Sequence, residues 1–259
     1  MTNTVLVHSF RRGTGKSTIA ANVGTVLAQA GQRVGLIDAD LQTPSLLRFF
    51  GLDESHMGTC FNDYLLHSCD IEQAVLDLTP HLTPALRGQI MLVPASSDPR
   101  LIRDTVHANM DCYLLHDAFT TLISELALDA LIIDTHAGLH EQILPLMTIT
   151  DVLAIVLRHD QQDYEGTRIT LDVARHLGLP ALQLIVNEAL DSSTAGDVRS
   201  QIVRNFGHSP IAVLPHCNAL LELASADLFA LRHPYHPLTT TFRELASAMC
   251  APISASEDH

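Results

Sequence analysis

Short apolar runs recur along the chain, and each is followed by a stretch with helical spacing. The first run, Thr4–His8, reads as a strand. From Ser17 the period changes: Ile19, Val23, Val26 and Leu27 form one apolar stripe, which predicts a helix over Ser17–Gly31 with Gly31 past its end. Arg33–Ile37 reads as a second strand and stops at Asp38-Ala39-Asp40. Gly58–Leu76 carries helical pieces around an Asn62-Asp63-Tyr64-Leu65 turn. Gln89–Val93 predicts a third strand, Arg100–Leu128 a mostly helical stretch broken near Asp111, and Ala130–Ile133 a fourth strand ending at Asp134. Val152–Leu157, Ala181–Val186 and Ile211–Leu214 complete the strands, with helices between and after them.

The strands are continuously apolar rather than alternating. That pattern belongs to a sheet covered on both faces, so the expected fold is α/β: three layers, a mostly parallel twisted sheet with helices on each side. No Gly/Ser linker, repeat or low-complexity segment interrupts it. The expected organisation is one domain over 1–250, followed by an acidic, disordered tail over 251–259.

Composition narrows the function classes. The 259 residues are 47% hydrophobic and 17% charged, as in a globular protein with much of its chain between layers. No apolar run approaches the ~18–20 residues of a spanning helix, and the N-terminus lacks a basic, apolar leader. Five cysteines without a C-x-x-C pair fit free thiols in a reducing, cytoplasmic setting. A net charge of −14 argues against a surface built to coat DNA or anionic lipid.

The segment "VHSFRRGTGKST" then raises a specific chemistry. A phosphate-binding loop reads G-x-x-x-x-G-K-[ST]. Here Gly15-Lys16-Ser17 is intact, Phe10 stands at the first glycine, and Arg11 and Arg12 follow it. Among 15 lysines and arginines, Lys16 is the sole lysine. Its retention points to a task arginine cannot perform, because a compact ammonium fits inside a curled loop and a planar guanidinium does not. The loop follows a strand and opens a helix, whose first N–H groups and dipole favour phosphate. Lys16 would contact the outer phosphates and Ser17 would offer a hydroxyl to Mg²⁺. Asp38, Asp40 and Asp134 each end an apolar strand, where ligands gather in an open α/β sheet, and a carboxylate beside such a loop can hold Mg²⁺.

"RRGTGKST", "LIDADLQTPSL" and "LIIDTHAG" resemble the deviant P-loop ATPases typified by MinD and ParA, whose motifs read K-G-G-x-G-K-[ST], D-x-D and D-[TS]-P-[AP]-G. The likeness continues through "GQIMLVPASSD", "DVLAIVLRHDQQDYEGTRITLDVAR", "LQLIVNEA" and "IAVLPHCNALLELASADLFALRHP", in the same order. The resemblance implies an ATP-dependent switch that closes into a homodimer around two ATP molecules with Mg²⁺. An activator or adaptor protein would stimulate its slow hydrolysis as it positions a cargo. It implies that Gly13, Thr14, Gly15, Lys16, Ser17 and Thr18 cradle the phosphates, and that Asn187 and Pro215 border adenine. Ser17, Asp38 and Asp134 would serve the metal shell, and Asp40 the attacking water. Arg11 occupies the place of the signature lysine that reaches across the dimer. Arg12 departs from a glycine and should aim away from the phosphates or into the dimer seam. His136 departs from a proline and puts a titratable ring at the second switch.

Within that resemblance several roles stay open. The last predicted helix has Phe242, Leu245 and Met249 on one face and only Arg243 as a base, so it is expected to pack on the core rather than on a membrane. Arg199 and Arg204 share a helix, which leaves nucleoid DNA as a lesser option. Fifteen histidines, with His136/His140 and His233/His236 as close pairs, raise a metal-cofactor-inserting ATPase as an alternative. A nucleotide-binding scaffold with little hydrolysis is another.

Overall fold

The computed structural model describes residues 2–82, 86–106, 110–190 and 195–251, so most of the expected tail, 252–259, lies outside the described residues. The strands are β1 (Asn3–His8), β2 (Arg33–Ala39), β3 (Leu76–Asp77), β4 (Gln89–Val93), β5 (Ala130–Thr135), β6 (Val152–Arg158), β7 (Ala181–Ala189) and β8 (Ala212–Pro215). They form one 8-stranded sheet in the order β3-β4-β2-β5-β1-β6-β7-β8. Every pairing is parallel except that of β3, a two-residue strand that caps the β4 edge antiparallel. β3 is too short for a hydrophobic pattern to reveal, and the expected third strand is therefore β4.

Alternate residues of each central strand enter different cores. Val5, Val7, Ala130, Ile132, Val152, Ala154 and Val156 point to one face; Leu6, Leu131, Ile133, Leu153, Ile155 and Leu157 point to the other. Both sets are apolar, which is why the strands read as unbroken runs. The first face is covered by α1 (Lys16–Gln29), α2 (Leu46–Phe49), α10 (Phe229–Arg232) and α11 (Pro237–Met249). The second is covered by α3 (Phe61–Leu65), α5 (Cys112–Glu125), α6 (Ile143–Ile149), α7 (Gln161–His176) and α8 (Ala195–Phe206). The short helices α4 (Pro99–Val106) and α9 (Asn218–Glu222) complete the set.

The break expected near Asp111 is real: its carboxylate accepts from Tyr113 N at 2.9 Å and caps the start of α5. Leu238, Phe242, Leu245 and Met249 of α11 are buried against the first core, so this helix is spent on packing. Among the described residues no helix is long and apolar enough to cross a membrane.

The register decides where chemistry gathers. β1 pairs with β5 so that Val7 lies opposite Asp134, and β2 pairs with β5 so that Asp38 lies opposite Asp134. The loop after β1 and the carboxylates after β2 and β5 therefore emerge side by side at the carboxyl ends of three adjacent strands.

Candidate functional site

The chain leaves β1 into the loop 9–15 and enters α1 through Gly15, whose φ of 95° is left-handed. A Cβ there would also overlap the Asn187 amide, so glycine is required twice over. The first turn of α1, whose leading N–H groups have no partner within the helix, borders a cavity of about 260 Å³ lined by Arg12, Gly13, Lys16, Ser17, Thr18, Asp40 and Thr43 among others. A second cavity of about 140 Å³ shares Gly15 and Thr18 with it and is walled by Asn187, Glu188, Pro215 and Cys217. Asn187 Nδ2 donates to the Thr14 carbonyl at 2.8 Å, tying β7 to the loop between the two cavities.

Electrostatics distinguish the three carboxylates. Asp134 is fully buried, and burial pushes it up to about 7 against the pull of the Lys16 ammonium and the nearby Ser17 hydroxyl. No hydrogen bond of normal geometry reaches either of its oxygens among the described residues. Two buried, unpartnered hard oxygens beside a serine hydroxyl suit Mg²⁺. Asp38 is raised by burial and by its neighbour Asp134, but its oxygens are engaged: Oδ2 accepts from Ser45 and Leu46 N–H at 2.9 Å, and Oδ1 from Asp40 N–H at 3.2 Å. It anchors the turn into α2 instead of presenting free oxygens to a metal. Asp40 lies on the cavity wall; burial alone would raise it, but hydrogen bonds from His136 and Thr43 prevail and hold it below the usual carboxylate range. Burial lowers Lys16, while Asp134 and Asp40 oppose that shift.

The arginines separate. Arg11 is turned to α7, with Nη2 2.6 Å from Asp160, Nη1 2.7 Å from Gln162 and Nε 2.9 Å from Asp163. These contacts in its own chain occupy the guanidinium expected to reach across a dimer. Arg12 lines the cavity of about 260 Å³ and donates to His136 Nε2 at 2.9 Å, so of the two expected directions it does not take the one away from that cavity. It does so without a left-handed backbone, so replacing a glycine here costs no strain. Phe10 packs on Gly166 of α7, where any Cβ would strike its ring; it secures the base of the loop.

Two residues that motif reasoning passed over also shape the loop. Arg158, at the end of β6, donates to the Gly13 carbonyl and pairs with Glu188 at 2.9 Å. The signal was present, since a charge ending an apolar strand is the same mark that singled out the aspartates. Glu188 sits at φ 56° beside a register shift in β7, which no sequence motif announces. His8 ends β1 fully buried, with Nδ1 3.0 Å from the Thr135 hydroxyl, and burial pushes it down to about 3.

Residues 1–224 match the ParA family model, described as NUBPL iron-transfer P-loop NTPase. The chain belongs to the ParA family of P-loop NTPases. This ParA-family chain is 24% identical over 247 residues to an uncharacterised ATP-binding protein of Methanocaldococcus jannaschii, covering 95% of this chain and 86% of that one. It is 26% identical over 266 residues to an iron-sulfur cluster carrier protein of Pseudomonas fragi, covering 94% and 84%. Its fold superposes on the septum site-determining protein MinD of Pyrococcus horikoshii, solved with Mg-ADP, with a TM-score of 0.78 at 22% identity over 96% of each chain. The three-layer α/β architecture is that of MinD and ParA ATPases.

Proposed function

We propose that this chain is an ATP-dependent dimerising switch of the MinD/ParA type, acting in the cytosol to position or partition a cargo. It hydrolyses ATP slowly until a partner protein stimulates it. One observation carries the reading: Lys16, Ser17 and the unpartnered, buried Asp134 meet at the start of α1, beside a cavity of about 260 Å³. In this reading Gly13–Thr18 hold the phosphates and Asn187 and Pro215 border the base. Ser17 and Asp134 hold Mg²⁺, which when bound neutralises phosphate charge. Asp40, ionised and held by its neighbours, positions the attacking water. Asp38 fixes the turn that carries Asp40. The MinD of Pyrococcus horikoshii, solved with Mg-ADP, supports the choice of nucleotide and metal by fold.

Size-exclusion chromatography with ATP, with ADP and without nucleotide tests the switch. The parent should dimerise only with ATP, and Asp40→Ala should stay dimeric. A Lys16→Ala variant that dimerises as well as the parent would overturn the scheme. A dimer that releases no phosphate even with cell extract would mark a scaffold instead.

The family description and the Pseudomonas fragi relative favour a second reading, a carrier of an iron-sulfur cluster. Against it, the chain has no C-x-x-C pair, and no group of three His, Cys, Asp or Glu that could hold a metal ion occurs among the described residues. Anaerobic reconstitution with iron and sulfide decides: a stoichiometric cluster would promote the carrier.

A further inference from the structure

Two residues that the phosphate loop and the second switch do not require, Arg12 and His136, touch each other and end on Asp40. Arg12 Nη2 lies 2.9 Å from His136 Nε2, and His136 Nδ1 lies 2.9 Å from Asp40 Oδ1. The same Asp40 oxygen accepts from Thr43 N–H at 2.9 Å, and the Thr43 hydroxyl reaches both oxygens at 3.1 Å. The His136 and Asp40 side chains are only 11% and 13% exposed, so water competes little for the bond between them, while Arg12 reaches the ring from the exposed side. Among the described residues, His136 is the one hydrogen-bond partner of the Arg12 side chain.

The chemistry of the groups fixes the protons. A guanidinium stays charged and only donates. His136 Nε2 must therefore accept, which leaves the ring neutral with its proton on Nδ1. That proton is the one given to Asp40. Asp40, which only accepts, and Arg12, which only donates, fix the same tautomer of His136 from its two sides, and that tautomer holds one oxygen of Asp40 while the other keeps a single contact, to Thr43.

We propose that Arg12 and His136 form a positioning pair that orients the Asp40 carboxylate, with the loop arginine holding the ring at Nε2 while Nδ1–H holds the carboxylate. This rests on the reading of Asp40 as the residue that positions the attacking water. It gives the second arginine of the loop a task that the first cannot share, because Arg11 is held by Asp160, Gln162 and Asp163. It also couples the two segments: a nucleotide phosphate that draws Arg12 away would free the Nε2 side of the ring that holds Asp40.

Side-chain ¹⁵N spectra and steady-state ATP hydrolysis test the pair on the full chain. At mildly alkaline pH the parent should show His136 protonated on Nδ1, and Arg12→Ala should leave that proton in place and shift only the Nε2 resonance, which loses its donor. Loss of an orienting partner of this kind lowers activity about tenfold, so His136→Ala and Arg12→Ala should each reduce kcat by about that factor with KM for ATP held within about twofold. The double variant should fall no further than either single one. His136→Asn, whose amide N–H sits where Nδ1–H was, should recover most of the rate. His136→Gln, whose amide sits at the Nε2 position, should not. An Nε2–H tautomer in the parent, additive losses, or equal rates for the Asn and Gln variants would each overturn the proposal. Should the parent hydrolyse no ATP at all, the switch reading fails on its own, and the Nε2 resonance in parent and Arg12→Ala still decides whether Arg12 engages His136.

Discussion

Acid should loosen this protein through His8. The ring is fully buried at the end of β1, and burial, with Lys16, His140 and His136 adding to it, depresses its value from 6.5 to about 3. The unfolded chain keeps the ordinary value. A base whose folded value is depressed contributes stability that is present above pH 6.5 and is lost as pH falls toward 3, because only the unfolded state takes the proton. At about 1.4 kcal/mol per pH unit, the loss between pH 6.5 and about pH 5 is roughly 2 kcal/mol. His8→Asn isolates it. The asparagine amide can still donate to the Thr135 hydroxyl, which itself donates to Val7 O at 2.9 Å, but it does not titrate. Its smaller volume adds a cost of about 1–3 kcal/mol that is the same at every pH. Urea unfolding of both proteins at about pH 7.5 and pH 5 gives the two losses. Asp40 and Asp160, lowered in the fold, and Asp134, raised, titrate alike in both proteins and cancel in the difference. The parent should lose roughly 2 kcal/mol more than the variant on acidification. Equal losses would refute the claim that His8 is buried without room for its proton.

Gly15→Ala forces a side chain onto a φ of 95° and into the Asn187 amide, so isothermal titration should show ATP binding lost and unfolding should show a cost of about 1–3 kcal/mol. An affinity within twofold of the parent would contradict the cradle. Replacing a helical glycine by alanine ordinarily stabilises by about 1 kcal/mol. In α7, Gly166→Ala should do the opposite, because the new methyl strikes the Phe10 ring. Thermal unfolding at a higher temperature than the parent would show that Phe10 does not brace the loop from there.

Much of the architecture was legible along the chain. The two-sided burial of β1, β5 and β6 leaves its trace as unbroken apolar runs, and the turn from strand to helix at Gly15-Lys16-Ser17 is a local event that a motif can carry. The same holds for Asp38, Asp40 and Asp134, since ending an apolar strand is itself a sequence pattern. What each does after that point was not legible. Asp38 and Asp40 are two residues apart, yet one is consumed by the N–H groups of Ser45 and Leu46 and the other lines the cavity with His136 against it. Arg11 and Arg12 are adjacent and chemically identical, yet one is bound by α7 and the other faces His136.

The sequence by itself determined which segments fold, in what order, and that a lysine, a serine and three aspartates stand at strand ends, because hydrophobic periodicity and loop chemistry act over a few neighbouring residues. The tertiary structure alone decided which of those groups remain free for chemistry. Partners such as Asp160 for Arg11, Thr135 for His8 and His136 for Arg12 lie more than a hundred residues away, and only the strand order brings them within a hydrogen bond.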